Sequence, residues 1–312
     1  MIVSGRSFMV RGYARRYPPF AIMRRRPLCQ GLIMDSVLDA WIEERLLADG
    51  IKDEKYPDLL LRLVRQIEQQ GLKTIGIAGS QGSGKSTLAR CLADLLTQAR
   101  GLRAEVLSLD DFYQTRIARE EMAKQRHPLF LVRGVPGTHD VVWMREVISR
   151  LLQGHSADVP VFDKGRDDRV GSRTLPAGVD LVILEGWCFG ARPEPEERLV
   201  QPINALEAEQ DDAGVWRRTV NLNLAGQGYQ ALFDVDFLVF LQAPEFESIH
   251  RWRVEQEQRF NQGPQAMDPD QIDAFMQHYQ RITQWMIEDL PSTANLLVAL
   301  NRDHGIDDAK LR

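Results

Sequence analysis

Residues 74–86 read Thr74-Ile75-Gly76-Ile77-Ala78-Gly79-Ser80-Gln81-Gly82-Ser83-Gly84-Lys85-Ser86. The first part, Thr74 to Ala78, is a short apolar run of the kind that forms a buried strand. The second part, Gly79 to Ser86, fits G-x-x-x-x-G-K-[ST] at every fixed position. A helical pattern then runs on from Lys85 to residue 99. Strand, glycine-rich loop and helix is the order that a phosphate-binding loop requires. Glycines let the backbone turn successive N–H groups inward. The helix N-terminus adds its positive dipole end. Gly79, Ser80, Gln81, Gly82, Ser83 and Gly84 are expected to cradle the phosphates of ATP. Lys85 is expected at the β- and γ-phosphates, the Ser86 hydroxyl at Mg²⁺ and Thr87 at the α-phosphate. A plain glycine-rich turn would leave the Lys-Ser pair at the helix start unexplained.

Working outward, further apolar runs occur at Glu105–Leu109, Val179–Leu184, Val235–Leu241 and Asn295–Leu300. Helical patterns separate them, at 85–99, 139–153, 245–260 and 270–289. This alternation predicts an α/β fold, a parallel sheet with right-handed crossovers and helices on both faces. Upstream, Val37, Leu38, Trp41, Ile42 and Leu46 repeat at helical spacing, with Asp35 or Ser36 as the expected N-cap. A second helix is expected after Pro57, with Leu60, Leu63, Val64 and Ile67 on one face and Gly71 past its end. The segment 191–230 carries Pro193, Pro195, Pro202 and the acidic run from Glu207 to Asp212. It is expected to be a helical insertion between two sheet strands.

The chain has 312 residues, 44% hydrophobic and 27% charged, with a formal net charge of −5. These fractions are ordinary for a globular protein and exclude disorder along the whole length. No apolar run reaches the ~20 residues that span a bilayer. The mild acidity argues against a dedicated nucleic-acid binder. Cys29, Cys91 and Cys188 are far apart and odd in number, which fits neither a disulfide framework nor a zinc spacing. A cytoplasmic location is therefore expected. The charge is uneven: residues 1–33 hold seven Arg and no Lys, Asp or Glu, a net +7, leaving −12 for the rest. That basic stretch reads as a disordered leader or a mis-assigned start, with residues 34–312 as one domain. An organellar transit peptide is the alternative.

In an open parallel sheet, ligands bind beyond the carboxyl ends of the strands. Asp110, in Leu107-Ser108-Leu109-Asp110-Asp111-Phe112-Tyr113, is expected at the end of the second strand. It is suited to accept a proton from an attacking hydroxyl, or to orient that hydroxyl and Mg²⁺. Glu185, in Leu181-Val182-Ile183-Leu184-Glu185-Gly186, is expected at the end of the third strand, on Mg²⁺ directly or through water. Each acid has a plainer reading as a helix cap or solvated loop residue. That reading is strongest for Asp111.

The order of phosphate loop, Ser108-Leu109-Asp110-Asp111-Phe112-Tyr113, Glu185-Gly186 and an Arg-bearing helix resembles the uridine kinase, pantothenate kinase and phosphoribulokinase group. Within it, the chain most resembles plant-type D-glycerate 3-kinases and their relatives. Four further runs carry that choice: Arg133-Gly134-Val135-Pro136-Gly137-Thr138-His139-Asp140, Val161-Phe162-Asp163-Lys164, Glu185-Gly186-Trp187 and Trp252-Arg253-Val254-Glu255-Gln256-Glu257. The likeness covers residues 35–305 or so. It implies a P-loop NTPase fold with helical insertions and a lid carrying Arg251 and Arg253. It also implies Mg²⁺- and ATP-dependent phosphorylation of a small hydroxyl acceptor such as glycerate, with Asp110 as base. In uridine kinases the segment matching Phe162–Arg169 carries a Tyr-Asp pair and then a histidine. Here Phe162 replaces the Tyr, and Asp167 stands where the His is expected.

A glycerate-like acceptor has a carboxylate and needs a cationic clamp. Lys164, Arg166 and Arg169 are first candidates, with Asp163 beside them, and Arg133 and His139 form a second set near Tyr113. Arg166 and Arg169 read equally well as partners of Asp167 and Asp168. His139 reads equally well as a helix cap. Arg251 and Arg253 read either as helix-surface salt-bridge residues with Glu255 and Glu257 or as charges closing over the phosphates. Two rivals remain open: a kinase for a nucleoside or pantothenate, and a nucleotide switch or assembly ATPase with no small acceptor.

Overall fold

The protein is described by a computed structural model that covers residues 31–260 and 267–312. The chain opens with α1 (Gly31–Ala48) and α2 (Tyr56–Gln70). α1 starts a turn earlier than the expected caps Asp35 and Ser36, which lie inside it. No Gly or Pro interrupts Leu32-Ile33-Met34, so the helix runs back to Gly31. The rest of the basic segment 1–33 lies outside the described residues. α2 carries Pro57 in its first turn and ends on Gly71 at a left-handed φ of 64°.

There follow β1 (Thr74–Gly79), α3 (Lys85–Arg100), β2 (Ala104–Ser108), α4 (Arg116–Gln125) and α5 (Val141–Leu152). A ribbon comes next, β3 (Ala157–Asp163) and β4 (Asp168–Leu175), then β5 (Leu181–Gly186). Helices α6 (Ala205–Gln210), α7 (Val215–Ala225) and α8 (Gln227–Phe233) fill the stretch between β5 and β6 (Phe237–Gln242). α9 (Phe246–Phe260), α10 (Pro269–Asp289), β7 (Leu296–Leu300) and β8 (Ile306–Leu311) complete the chain.

The main sheet has the order β2-β5-β1-β6-β7-β8, so the strand before the glycine-rich loop lies in its interior. Five strands are parallel; β8 runs antiparallel on the edge against β7. The expectation of a parallel sheet missed β8 because Ile306-Asp307-Asp308-Ala309-Lys310-Leu311 is charged and mostly exposed, as an edge strand tolerates. β3 and β4 form a separate antiparallel pair outside the main sheet. β4 is polar and largely exposed, which hides it from an apolar pattern.

Alternation along the interior strands divides the core in two. Leu181 and Ile183 of β5 and Phe237, Val239 and Leu241 of β6 pack with α1, α2 and α3. Val182, Leu184 and Phe240 face the other way, with α5, α7, α8 and α10. Both faces are covered, which is why the strands read as continuous apolar runs. No helix among the described residues is long and apolar enough to cross a membrane.

Strand register positions the site. Ser108 pairs with Glu185, and Glu185 with Ile77. The carboxyl ends of β2, β5 and β1 therefore reach one level, just below the glycine-rich loop. Glu185 belongs to β5 itself rather than following it, since that strand is shifted two residues along from its expected span.

Candidate active site

The loop from Ser80 to Gly84 joins β1 to α3 through two residues in the left-handed region, Gly82 at φ 77° and Gly84 at φ 88°. The Ser80 carbonyl accepts from the Ser83 N–H (3.3 Å) and from Ser83 Oγ (2.9 Å), closing the loop. Gly84 offers α3 no side-chain cap, so the first-turn N–H groups at Lys85, Ser86 and Thr87 remain available to an anion. Ser80 Oγ and Gln81 Oε1 are buried with no hydrogen-bond partner among the described residues. Behind the loop stands Trp252 of α9, so close that a Cβ on Gly82 would sit 2.8 Å from the Trp252 Cβ. His304, from the turn between β7 and β8, stacks on Trp252 with centroids 4.4 Å apart, and its Nδ1 lies 3.1 Å from the Gly82 carbonyl.

Ser86 Oγ donates to Glu185 Oε1 at 3.1 Å, and Lys85 Nζ lies 4.0 Å from Glu185 Oε2. That second oxygen is buried without a hydrogen-bond partner. A buried carboxylate oxygen beside a hydroxyl and the phosphate lysine is a donor set that suits Mg²⁺. The ion takes one or two protein oxygens and fills its remaining positions with phosphate and water. Among the described residues, no group of three or more His, Cys, Asp or Glu forms a metal cage.

Asp110 sits in a single turn, Leu109–Phe112, that directly follows β2 and is capped by Ser108 Oγ. Leu109 and Phe112 are buried and anchor the turn, leaving Asp110 at the surface of the cleft. Its Oδ1 accepts from the Tyr113 hydroxyl at 2.7 Å and its Oδ2 from Lys164 Nζ at 2.6 Å. Burial pushes this carboxyl up, but the charges of Lys164 and Lys85 and the two hydrogen bonds outweigh it. Asp110 is held below the usual carboxylate range. Asp111, next along, is shifted upward by burial, with the Asp110 and Glu185 charges adding to the effect.

The Arg133–Asp140 run lies alongside this turn. The Gln114 N–H donates to the Thr138 carbonyl (2.8 Å), and the Asp140 N–H to the Phe112 carbonyl (2.7 Å). Trp187 Nε1 donates to the Gly134 carbonyl (2.9 Å) and the Tyr279 hydroxyl to the Arg133 carbonyl (3.0 Å). His139 is buried, stacks on Tyr113 at 4.8 Å and contacts the Tyr229 hydroxyl through Nδ1 at 2.8 Å. Burial pushes its pKa down to about 3, so the ring is neutral. It does not cap α5; Asp140 does, accepting from the Trp143 N–H.

The expected cations divide sharply. Lys164 reaches Asp110. Arg133 pairs with Asp167 and lies over Phe162, its charge thus matched at the pocket edge. Arg169 is drawn into the fold: it donates to the Tyr113 carbonyl (2.7 Å), pairs with Asp140 (3.1 Å) and covers Trp143. Asp163 receives the N–H groups of Gly165 and Arg166 and pairs with the Arg166 side chain, which is exposed. Arg251 and Arg253 diverge, because residues two apart on a helix are ~200° apart. Arg251 donates to the Arg302 carbonyl, while Arg253 pairs with Glu257 (2.6 Å) and lies over Phe275. Arg251 and Trp252 Nε1 both donate to the Arg302 carbonyl, which ties the middle of the expected lid helix to the β7–β8 turn.

Several contributors escaped the sequence. Arg119 is fully buried and binds the Gln114, Leu131 and Asp167 carbonyls and the Asp167 carboxylate. Its setting, Ala118-Arg119-Glu120-Glu121, reads as a solvated helix face. Tyr229, Tyr279 and His304 come from distant segments and carry no local signal.

The fold and this site together define a P-loop kinase. Residues 74–192 match the phosphoribulokinase/uridine kinase family. The chain is 34% identical over 239 residues to a protein of Schizosaccharomyces pombe named uncharacterized kinase mug58, covering 71% of this chain and 83% of that one. It is 26% identical over 269 residues to one named probable ATP-dependent kinase TDA10 from Saccharomyces cerevisiae, covering 76% and 88%. Among solved structures, a D-glycerate 3-kinase from Cryptococcus neoformans superposes with a TM-score of 0.63 at 22% identity. It covers 90% of this chain and all of that one. The chain belongs to the phosphoribulokinase/uridine kinase family.

Proposed function

We propose that this kinase transfers the γ-phosphoryl group of ATP to a hydroxyl of a small carboxylate acceptor, D-glycerate, giving 3-phosphoglycerate. The observation that carries the reading is Asp110 at the end of β2, facing the cleft with a lysine on one oxygen and a tyrosine on the other. A nucleotide switch has no use for such an acceptor-side carboxylate. The name of the Cryptococcus neoformans neighbour, which matches over its full length, supports the choice of acceptor.

In this reading Gly79 to Thr87 hold the phosphates, and Ser86 and Glu185 hold Mg²⁺, which neutralises phosphate charge when bound. Asp110 is assigned to the acceptor, since the Ser86 hydroxyl bonds Glu185 while Asp110 bonds Tyr113 and Lys164. The acceptor hydroxyl oxygen bonds to the γ-phosphorus, the bond from that phosphorus to the bridging oxygen breaks, and the hydroxyl proton passes to Asp110. A carboxyl held this low is a weak base. Its main contribution is to orient the hydroxyl and take the proton late, as a loose phosphoryl-transfer transition state permits. Tyr113, Arg133 and His139 wall the pocket, and Arg251 and Arg253 are the candidates to meet the phosphates. A cytoplasmic setting agrees with Cys91 and Cys188 being free and buried.

The test is a product assay. Purified protein with Mg·ATP and D-glycerate should yield ADP and 3-phosphoglycerate in equal amounts. ADP release no higher than background with glycerate, alongside phosphorylation of uridine, would overturn the acceptor.

A further inference from the structure

The cations around the cleft differ in what their partners do. Arg133 is matched by Asp167, Arg169 by Asp140 and two carbonyls, Arg253 by Glu257, and Arg166 by Asp163. Each of those acids is structural, and Lys85 belongs to the phosphate loop. Lys164 alone in this set is paired with the carboxylate assigned to the acceptor. Its Nζ donates at 2.6 Å to Asp110 Oδ2, while Oδ1 is held by Tyr113. Each Asp110 oxygen thus already accepts one bond, and an acceptor hydroxyl approaching Oδ2 competes with the Lys164 ammonium for that oxygen.

We propose that Lys164 is a specificity switch for anionic acceptors: its ammonium leaves Asp110 for the acceptor's carboxylate, and so uncovers Oδ2 for the hydroxyl. This rests on the reading of a carboxylate acceptor and adds how that acceptor is told from a neutral one. A neutral polyol offers the ammonium no replacement anion, so Lys164 stays on Asp110 and the hydroxyl finds its partner occupied. Selection thus comes from an exchange of partners, and the uncharged competitor is excluded by a pre-existing contact.

The geometry suits a side-chain exchange rather than a loop movement. Lys164 lies at the tip of the β3–β4 ribbon, and its side chain is 63% exposed. The turn beneath it is rigid. Asp163 Oδ1 accepts from the Gly165 and Arg166 N–H groups at 2.9 and 3.1 Å. Asp167, at φ 55°, is held through its carboxylate by Arg119 and Arg133 and through its carbonyl by Arg119. The flexible four-carbon stem of Lys164 is then the part that moves. Only the lysine end of the pair is exposed, so the ammonium can pass to a second anion without uncovering buried surface.

The experiment compares D-glycerate with glycerol, which has the hydroxyls and lacks the carboxylate, in the full-length protein and in Lys164→Met. Lys164 is exposed, so the variant should fold; circular dichroism and nucleotide binding verify this. The variant should lose roughly 10- to 100-fold in kcat/KM for D-glycerate, mainly through KM, the range for one charge-assisted hydrogen bond. With glycerol its kcat/KM should rise several-fold, because Oδ2 is freed, so that the ratio between the two acceptors collapses; an unchanged glycerol value would make Lys164 a plain carboxylate clamp and overturn the switch. Equal losses for both acceptors would overturn the switch and make Lys164 part of the transfer machinery. Unchanged glycerate kinetics would overturn it as well. A wild-type protein that ignores D-glycerate but shows the same Lys164-dependent contrast with another hydroxy acid would sink the glycerate reading and leave the switch standing. A preference for a neutral nucleoside over every carboxylate would overturn both.

Discussion

Asp110 shows how much one residue's surroundings decide. A carboxylate after an apolar strand is suited to several roles, and here its oxygens are fixed by Tyr113 and Lys164. Replacing Asp110 with Asn preserves shape and removes the charge that takes the proton. Transfer in Asp110→Asn should fall by about 10²- to 10⁴-fold, while Mg·ATP affinity, measured by calorimetry, stays within a few-fold. Near-normal turnover would show that Asp110 only packs. Glu185 is the complementary case. Its Oε2 is buried and without a hydrogen-bond partner, a cost that a bound cation removes.

At the scale of elements, the glycine-rich loop does not stand alone. Gly82 combines a left-handed φ of 77° with the close approach of Trp252, and His304 approaches its carbonyl. Three distant elements, β1, α9 and the β7–β8 turn, therefore set one loop. Any side chain at position 82 meets both constraints: about 1 kcal/mol or more of backbone strain and a clash with Trp252. Gly82→Ala should weaken nucleotide binding by 10-fold or more, roughly the effect of 1.4 kcal/mol, read by a fluorescent ATP analogue. Unaltered affinity would mean that α9 shifts freely.

For the whole molecule, the stretch between β5 and β6 is joined to α10 by buried charges. Arg281 is paired with Glu207 through two bonds of 2.7 and 2.6 Å, both side chains being nearly inaccessible. Arg281 also donates to the Arg198 and Gln201 carbonyls at 2.8 Å. Removing one partner of such a pair strands the other charge. Arg281→Met should cost about 3–5 kcal/mol in urea unfolding. The double variant Arg281→Met/Glu207→Gln should recover part of the loss. A loss under about 1 kcal/mol would mean that water reaches the pair.

The division between sequence and tertiary structure follows from the range of the interactions. Thr74 to Ser86 specified strand, loop and helix by themselves, because glycine freedom, apolar burial and helix-end polarity are local properties. The apolar runs at β2, β5, β6 and β7 likewise announced strands of the main sheet, since both sheet faces are covered. β8 and β4 stayed hidden, because an edge strand and an exposed ribbon need no apolar pattern. At the site, the sequence marked Asp110 and Glu185, put Lys164, Arg166 and Arg169 first as clamp candidates and Arg133 and His139 second, and did not separate Lys164 from Arg169. Charge alone does not tell a clamp from a staple. Folding decided that Arg169 holds the Tyr113 carbonyl and Asp140, and that Lys164 faces Asp110. Those partners lie 29 to 56 residues away along the chain. Which cation remains exchangeable depends on contacts that exist only once the β3–β4 ribbon lies beside the turn after β2.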